Sequence, residues 1–189
     1  LVCSIQNLPI FTAMKKNKLR LISLFTFILM FLLVKSFYAQ QNKLPSVNLK
    51  TPDGKSIDSR TISGNGKPLL MVFWKTTEPR SCENLKSLHE VFKDSLMPKN
   101  IKMVAICVDE TGSSSHIKPY LAGQAIDIDV YIDTNGDFRR AMGVSAPYTI
   151  IFDHKMSVFC QHRGYCTGNQ ELVCQEINKC LDLLPKEIR

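Results

Sequence analysis

The apolar positions of this chain fall into short continuous runs separated by polar turns. "LLMVFW", Leu69 to Trp74, is uninterrupted, as expected of a strand covered on both faces. Leu85, Leu88 and Phe92 then recur at helical spacing, predicting a helix that opens at Cys82 or Glu83 and is ended by Pro98. "IKMVAICVD", from Ile101, is a second buried strand, so strand, helix and strand imply a right-handed parallel crossover. Upstream, "VNLKTPDGKSID" sets Pro52-Asp53-Gly54 between two strand-like pieces and predicts a β-hairpin.

The second half continues in the same style. The polar "DETGSSSH" leads into a short helix from His116 to Gly123, and "DIDVYID" alternates as a strand. Asn135-Gly136 makes a turn, and Asp137 is placed to cap the short helix "FRRAM". "APYTIIFD" and "MSVFCQH" predict an antiparallel pair across Asp153-His154-Lys155. Gln170 to Leu184 closes the chain as an amphipathic helix with Val173, Ile177, Cys180 or Leu181, and Leu184 on one face. The predicted class is α/β, a central mixed sheet with helices on both faces and an N-terminal hairpin.

The N-terminal end breaks this pattern. Met14 to Arg20 is basic, and Leu21 to Val34 is apolar except for Ser23 and Thr26. That order predicts a secretory signal peptide. The apolar run is shorter than the roughly 20 residues a membrane span needs, so cleavage after Ala39 is favoured over a retained anchor. The expected organisation is residues 1–39 as upstream residues and leader (Met14 to Ala39), 40–46 as a linker, and 47–189 as one folded domain, exported to the periplasm or secreted. A membrane is a partner only if the leader stays in place. Five cations and no acid precede residue 40, which leaves the remainder at +2 out of the net +7. So small an excess gives little support for nucleic-acid binding.

Export also changes what the cysteines can do. Cys82, Cys107, Cys160, Cys166, Cys174 and Cys180 follow the leader, in a compartment that tolerates disulfides. Cys174 and Cys180, six apart on one helix, rise by about 9 Å and cannot pair with each other. Cys107 within "VAICV" is a small core side chain. "CQHRGYC" holds Cys160, His162 and Cys166 at close spacing, but no second ligand cluster accompanies it, so no metal site is expected. The segment reads as a strand end with alternating side chains, and a disulfide from Cys160 or Cys166 to the final helix is favoured over a metal. His89, His116 and His154 have no i+4 histidine partner and read as surface or helix residues.

"VFWKTTEPRSC" carries a resemblance. It is similar to the F-W-A-T-W-C-x-x-C signature of exported thioredoxin-like disulfide oxidoreductases of the TlpA/ResA type, with Phe73, Trp74, Thr76 and Pro79 on the motif. Glu78 takes the first cysteine position, Ser81 takes the second, and Cys82 lies one residue beyond. The resemblance runs from about Val47 to Leu184. "YIDTNGDFRRAMGV" followed by "APYTIIFD" resembles the family's approach to a cis-proline loop, which implies that Pro147 lies opposite the active-site turn. It also implies a thioredoxin-like fold, no cofactor, and a thiol- or disulfide-bearing protein or an extended polypeptide as partner, with Trp74 either core or a wall beside the turn.

The departure from the motif matters chemically. Disulfide exchange needs an attacking thiolate, stabilised at a helix N-terminus, and a second cysteine to resolve the mixed disulfide. Glutamate cannot attack, and on a helix one extra residue rotates Cys82 by about 100° from the Ser81 direction. Arg80 and the helix start favour a thiolate at Cys82, whereas a helix cysteine is commonly packed. A peroxidase pattern P-x-x-x-T-x-x-C does not fit, because Thr77 precedes Cys82 by five positions and Pro79 stands between them. The sequence therefore leaves two main functions: an oxidoreductase with Cys82 as its single thiol, or a redox-inactive module that holds extended polypeptide. A third is a structural domain with all six thiols paired.

Overall fold

The computed structural model describes residues 44–109 and 113–184. The predicted leader, its cleavage site and linker residues 40–43 lie outside the described residues. Leu44 to Ser46, expected as linker, belong to the fold instead. Leu44 is buried against the sheet, the Pro45 carbonyl accepts a hydrogen bond from the Ser59 hydroxyl, and Ser46 Oγ donates to Asp58 at 2.8 Å.

Seven strands form one mixed sheet. They are β1 (Asn48–Lys50), β2 (Ser56–Asp58), β3 (Leu69–Trp74), β4 (Lys102–Cys107), β5 (Asp129–Ile132), β6 (Tyr148–Phe152) and β7 (Val158–Arg163). Their spatial order is β2-β1-β5-β4-β3-β6-β7. The central trio β3, β4 and β5 is parallel, and the hairpin β1-β2 and the pair β6-β7 add antiparallel edges. All six residues of β3 are buried, the outcome its unbroken apolar run predicts for a strand covered on both faces.

Among the described residues four α-helices cover the sheet: α1 (Pro79–Val91), α2 (Ile117–Gly123), α3 (Asp137–Met142) and α4 (Asn169–Asp182). The strand period divides the core in two. Leu70, Val72 and Trp74 face one side with Leu85 and Leu88 of α1, Ile117 of α2, and Val173 and Ile177 of α4. Leu69, Met71 and Phe73 face the other with Phe138 of α3, whose ring stacks on Phe73 at 5.8 Å between centroids.

Two helix starts differ from the sequence expectation. α1 opens at Pro79, three residues before Cys82, because proline needs no amide donor in a first turn and its φ already suits a helix. At its far end α1 stops at Val91 and widens into a π turn, Phe92–Leu96, before Pro98 is reached. For α3 the cap is not Asp137. Gly136, at φ +70°, precedes the helix, and the buried Asp133 carboxylate at the end of β5 accepts the amides of Phe138 and Arg139 at 3.1 and 2.8 Å. A carboxylate reaching from the preceding loop does the work of an N-cap while tying α3 to the sheet.

Candidate functional site

The corner where β3 meets α1 is built from polar contacts beneath an exposed turn. Pro79 and Arg80 are exposed, whereas Ser81 is fully buried. The Lys75 amide donates to Ser81 Oγ at 3.0 Å, which fastens the turn to the first helical residues. The Thr76 amide donates to the carboxylate of Asp109 at 3.0 and 3.2 Å, and Thr76 Oγ1 donates to it at 2.5 Å. Asp109 lies just after β4, is 4% exposed, and so latches the corner to the neighbouring strand. The backbone of β3 continues this link through the Val108 amide, which donates to the Trp74 carbonyl at 2.9 Å.

Cys82 sits behind this turn rather than at its tip. Its Sγ lies 3.3 Å from the Lys75 carbonyl and 3.5 Å from the Thr76 carbonyl, both acceptors that favour a protonated thiol. Burial pushes its pKa up, and the negative charges of Asp109 and Glu78 push the same way, against a lowering contribution from the Tyr120 hydroxyl. That hydroxyl donates to the Cys82 carbonyl at 3.3 Å, and burial raises the Tyr120 pKa in turn. An activated thiol has the opposite surroundings, electropositive and partly open. Glu78 occupies the N-cap position of α1 without a side-chain capping bond, its backbone extended at φ −115°.

Trp74 belongs to the core. It is fully buried, its ring lies 5.1 Å from that of Tyr120, and its Nε1 has no hydrogen-bond partner among the described residues. The Ala146–Pro147 peptide is cis and Pro147 is buried. Phe73 pairs with Tyr148, so the antiparallel register carried one residue further brings Pro147 beside Trp74 at the end of β3. Below them, Asn84 Nδ2 donates to Thr149 Oγ1 at 3.4 Å, joining α1 to β6. Trp74, Glu78, Pro79, Ser81 and Cys82 thus share one corner, with Pro147 on the adjacent strand. Sequence reasoning missed Asp109, whose only local signal is its place at the end of "VAICVD", and Tyr120, which comes from a helix thirty-eight residues away from Cys82.

A cleft of about 440 Å³ lies at the other end of the parallel strands, where Asn65, Lys67, Lys102, Asp127 and Asp129 gather. Strands β3 and β4 begin there, so the cleft takes no part in the corner.

The remaining cysteines correct two expectations. All six described cysteines are free thiols, so neither the bond from Cys160 or Cys166 to the final helix nor the pairing of all six is formed in this structure. Cys160 meets other chemistry on α4. Its Sγ lies 3.7 Å from His162 Nε2, and that same nitrogen lies 2.5 Å from Glu176 Oε2. The sequence singled out Cys166 as the third member of this group, but Cys166 is exposed in the loop after β7 and Glu176 takes the place instead. Cys107 is buried in β4 and its pKa is strongly raised by burial, while burial pushes Cys180 up to about 11.

A seven-stranded mixed sheet between helices, with a strand-to-helix corner facing a cis-proline, defines a thioredoxin-like protein. The chain belongs to the Redoxin family, whose model matches residues 39–171. Among solved structures it is similar to a thioredoxin-like protein from Porphyromonas gingivalis, at 29% identity and a TM-score of 0.67 over 76% of this chain and 95% of that one. It also shares its fold with a Chlorobium tepidum protein assigned as the thiol:disulfide interchange protein DsbE, at 20% identity and TM-score 0.64, over 75% of this chain and 96% of that one. A secreted Mycobacterium tuberculosis disulfide oxidoreductase has the fold as well, at 14% identity and TM-score 0.58, over 71% of this chain and 96% of that one. No curated protein matched the chain.

Proposed function

We propose that this protein is an extracytoplasmic relative of the thiol-disulfide oxidoreductases that binds thiol- or disulfide-bearing polypeptide at the β3-α1 corner without carrying out the dithiol cycle. The observation that carries the reading is the fate of the two motif positions and their neighbour. Glu78 stands where an attacking thiolate is needed, Ser81 is consumed in fastening the turn, and Cys82 points its thiol at two backbone carbonyls. Without a thiolate to attack or a second sulfur to resolve, exchange stops at its first step. What supports a holding surface is the turn after β3, exposed at Thr77, Pro79 and Arg80, together with the cis Ala146–Pro147 peptide, which the β3-β6 register sets across from the end of β3.

Export is supported by the basic-then-apolar order of Met14 to Val34 and by the secreted character of the Mycobacterium tuberculosis relative. Among the described residues no helix is long and apolar enough to cross a membrane.

The test compares wild-type protein with Cys82→Ser in reduction of a disulfide-bonded protein, alongside binding of a cysteine-containing extended peptide. The expected result is reduction at buffer background for both and peptide binding retained by both. Reduction by the wild type that is lost in Cys82→Ser would show a working single thiol and overturn the reading. Loss of peptide binding in both would remove the binding role.

A further inference from the structure

We propose that Cys160, His162 and Glu176 form a binding site for one divalent cation of the Zn²⁺ class, separate from the β3-α1 corner. Cys160 and His162 are two apart on β7 and therefore project to the same face, the one that α4 covers. Glu176 comes down from the middle of α4, so two regular elements supply the three groups. Their ligand atoms all lie within 4.8 Å of one another. The His162 and Glu176 side chains are only 16% and 18% exposed, which makes this a sheltered cluster rather than a chance meeting on the surface.

The geometry separates a metal site from a nucleophile-base-acid triad. In a triad the imidazole uses its two nitrogens in different directions, one toward the nucleophile and one toward the carboxylate. Here Nε2 alone faces both Cys160 Sγ and Glu176 Oε2. Three donors thus converge on one point beyond a single nitrogen, as ligands around an ion do. Zn–S and Zn–N bonds of about 2.3 and 2.0 Å at a tetrahedral angle put sulfur and nitrogen about 3.5 Å apart, close to the 3.7 Å observed. The carboxylate oxygen, now 2.5 Å from Nε2, has to open to about 3.3 Å, a small rotation for a glutamate.

The donor set chooses the class of ion. Thiolate with imidazole suits Zn²⁺ and its neighbours, while a lone thiolate beside a carboxylate is a poor match to Cu⁺ and a thiolate of any kind to Mg²⁺ or Ca²⁺. Three protein ligands leave a fourth position for water. On binding, Cys160 loses its proton to solvent and the sulfur lone pair forms the bond to the metal; no oxidation state changes. Proton release must therefore accompany uptake, and affinity must fall as pH falls.

The test is titration of the reduced, tag-free protein with Co²⁺, followed by displacement with Zn²⁺. One equivalent of Co²⁺ is expected to give thiolate-to-cobalt charge-transfer absorption, removed by one equivalent of Zn²⁺. Each of Cys160→Ser, His162→Gln and Glu176→Gln should weaken Zn²⁺ binding by at least about tenfold. The near-isosteric Glu176→Gln and the retained circular dichroism of each variant guard against loss of fold. Cys166→Ser and Cys174→Ser should bind as the wild type does, and Zn²⁺ should raise Tm in wild type and not in Cys160→Ser. Absence of the charge-transfer band in wild type, its survival in Cys160→Ser, or its loss in Cys166→Ser or Cys174→Ser would overturn the assignment.

Discussion

Cys82 and Cys160 are both half-buried, and burial raises the pKa of both, yet their surroundings are opposite in kind. Around Cys82 the partners are backbone carbonyls and a tyrosine hydroxyl, and the polar side chains nearby are already committed to holding the turn. Around Cys160 the partners are an imidazole and a carboxylate that face the thiol and each other. The first region keeps the shape of a reactive corner and spends its polar groups on structure. The second has no place in the recognisable motif and keeps its reactive groups available. Family resemblance thus locates an architecture, whereas chemistry follows the atoms that remain unspent.

The largest change expected on this contrast is a gain. Restoring sulfur at both motif positions with Glu78→Cys and Ser81→Cys should convert a protein at buffer background into one that reduces disulfides with repeated turnover, as the helix start then acts on an exposed thiol. A double variant that folds and stays silent would show that the corner has lost more than its cysteines.

Stability comes next, and here the two regions should diverge. Asp109→Ala removes a buried charged acceptor from the Thr76 amide and hydroxyl and should cost about 2–4 kcal/mol in denaturant unfolding. Ser81→Ala leaves the Lys75 amide without its partner and should cost about 1–3 kcal/mol. Glu176→Gln, in contrast, should change stability by less than about 1 kcal/mol, since the glutamine amide oxygen can still accept from His162 and no donor is left unpaired. Equal costs in the two regions would erase the distinction between spent and available groups.

The pH dependence of stability has a sign set by buried thiols on one side and His89 on the other. Cys82, Cys107 and Cys180 have pKa values raised in the folded state from an ordinary value near 9.0, so the unfolded chain releases protons first. Their contribution is full below pH 9 and is lost as pH climbs through the folded values, about 11 for Cys180. His89 has a lowered pKa, from burial first and Lys93 second, and its Nε2 accepts the Asp127 amide at 3.5 Å. Its contribution is full above pH 6.5 and falls away as acid protonates the unfolded state. Tm measured across this range should pass through a broad maximum between those limits. A Tm still rising above pH 9 would contradict the thiol assignment.

Much of this arrangement is legible along the chain. The unbroken Leu69–Trp74 run announces a strand buried on both faces, and the structure buries all six residues. The hairpin at Pro52-Asp53-Gly54 and the antiparallel pair across Asp153 follow from turn chemistry that is local. What escapes is contact made across the fold. The start of α1 at Pro79 is masked because its first turn is polar and shows no apolar period. Asp133, not Asp137, caps α3 because a loop folds back, and neither carboxylate differs from the other in sequence. Glu176 reads as one more solvated residue on an amphipathic helix until α4 is laid over β7, and only then does it complete a group with Cys160 and His162.

The claim that the corner retains its form without an activated thiol is tested most directly by site-resolved alkylation of native protein, read by mass spectrometry from about pH 6 to about pH 10. The account predicts that Cys82 reacts more slowly than the exposed Cys166 at neutral pH, with the midpoint of its rate-pH curve above the ordinary thiol value of 9.0. A Cys82 that outpaces Cys166 at neutral pH, with a midpoint below about 7, would contradict it.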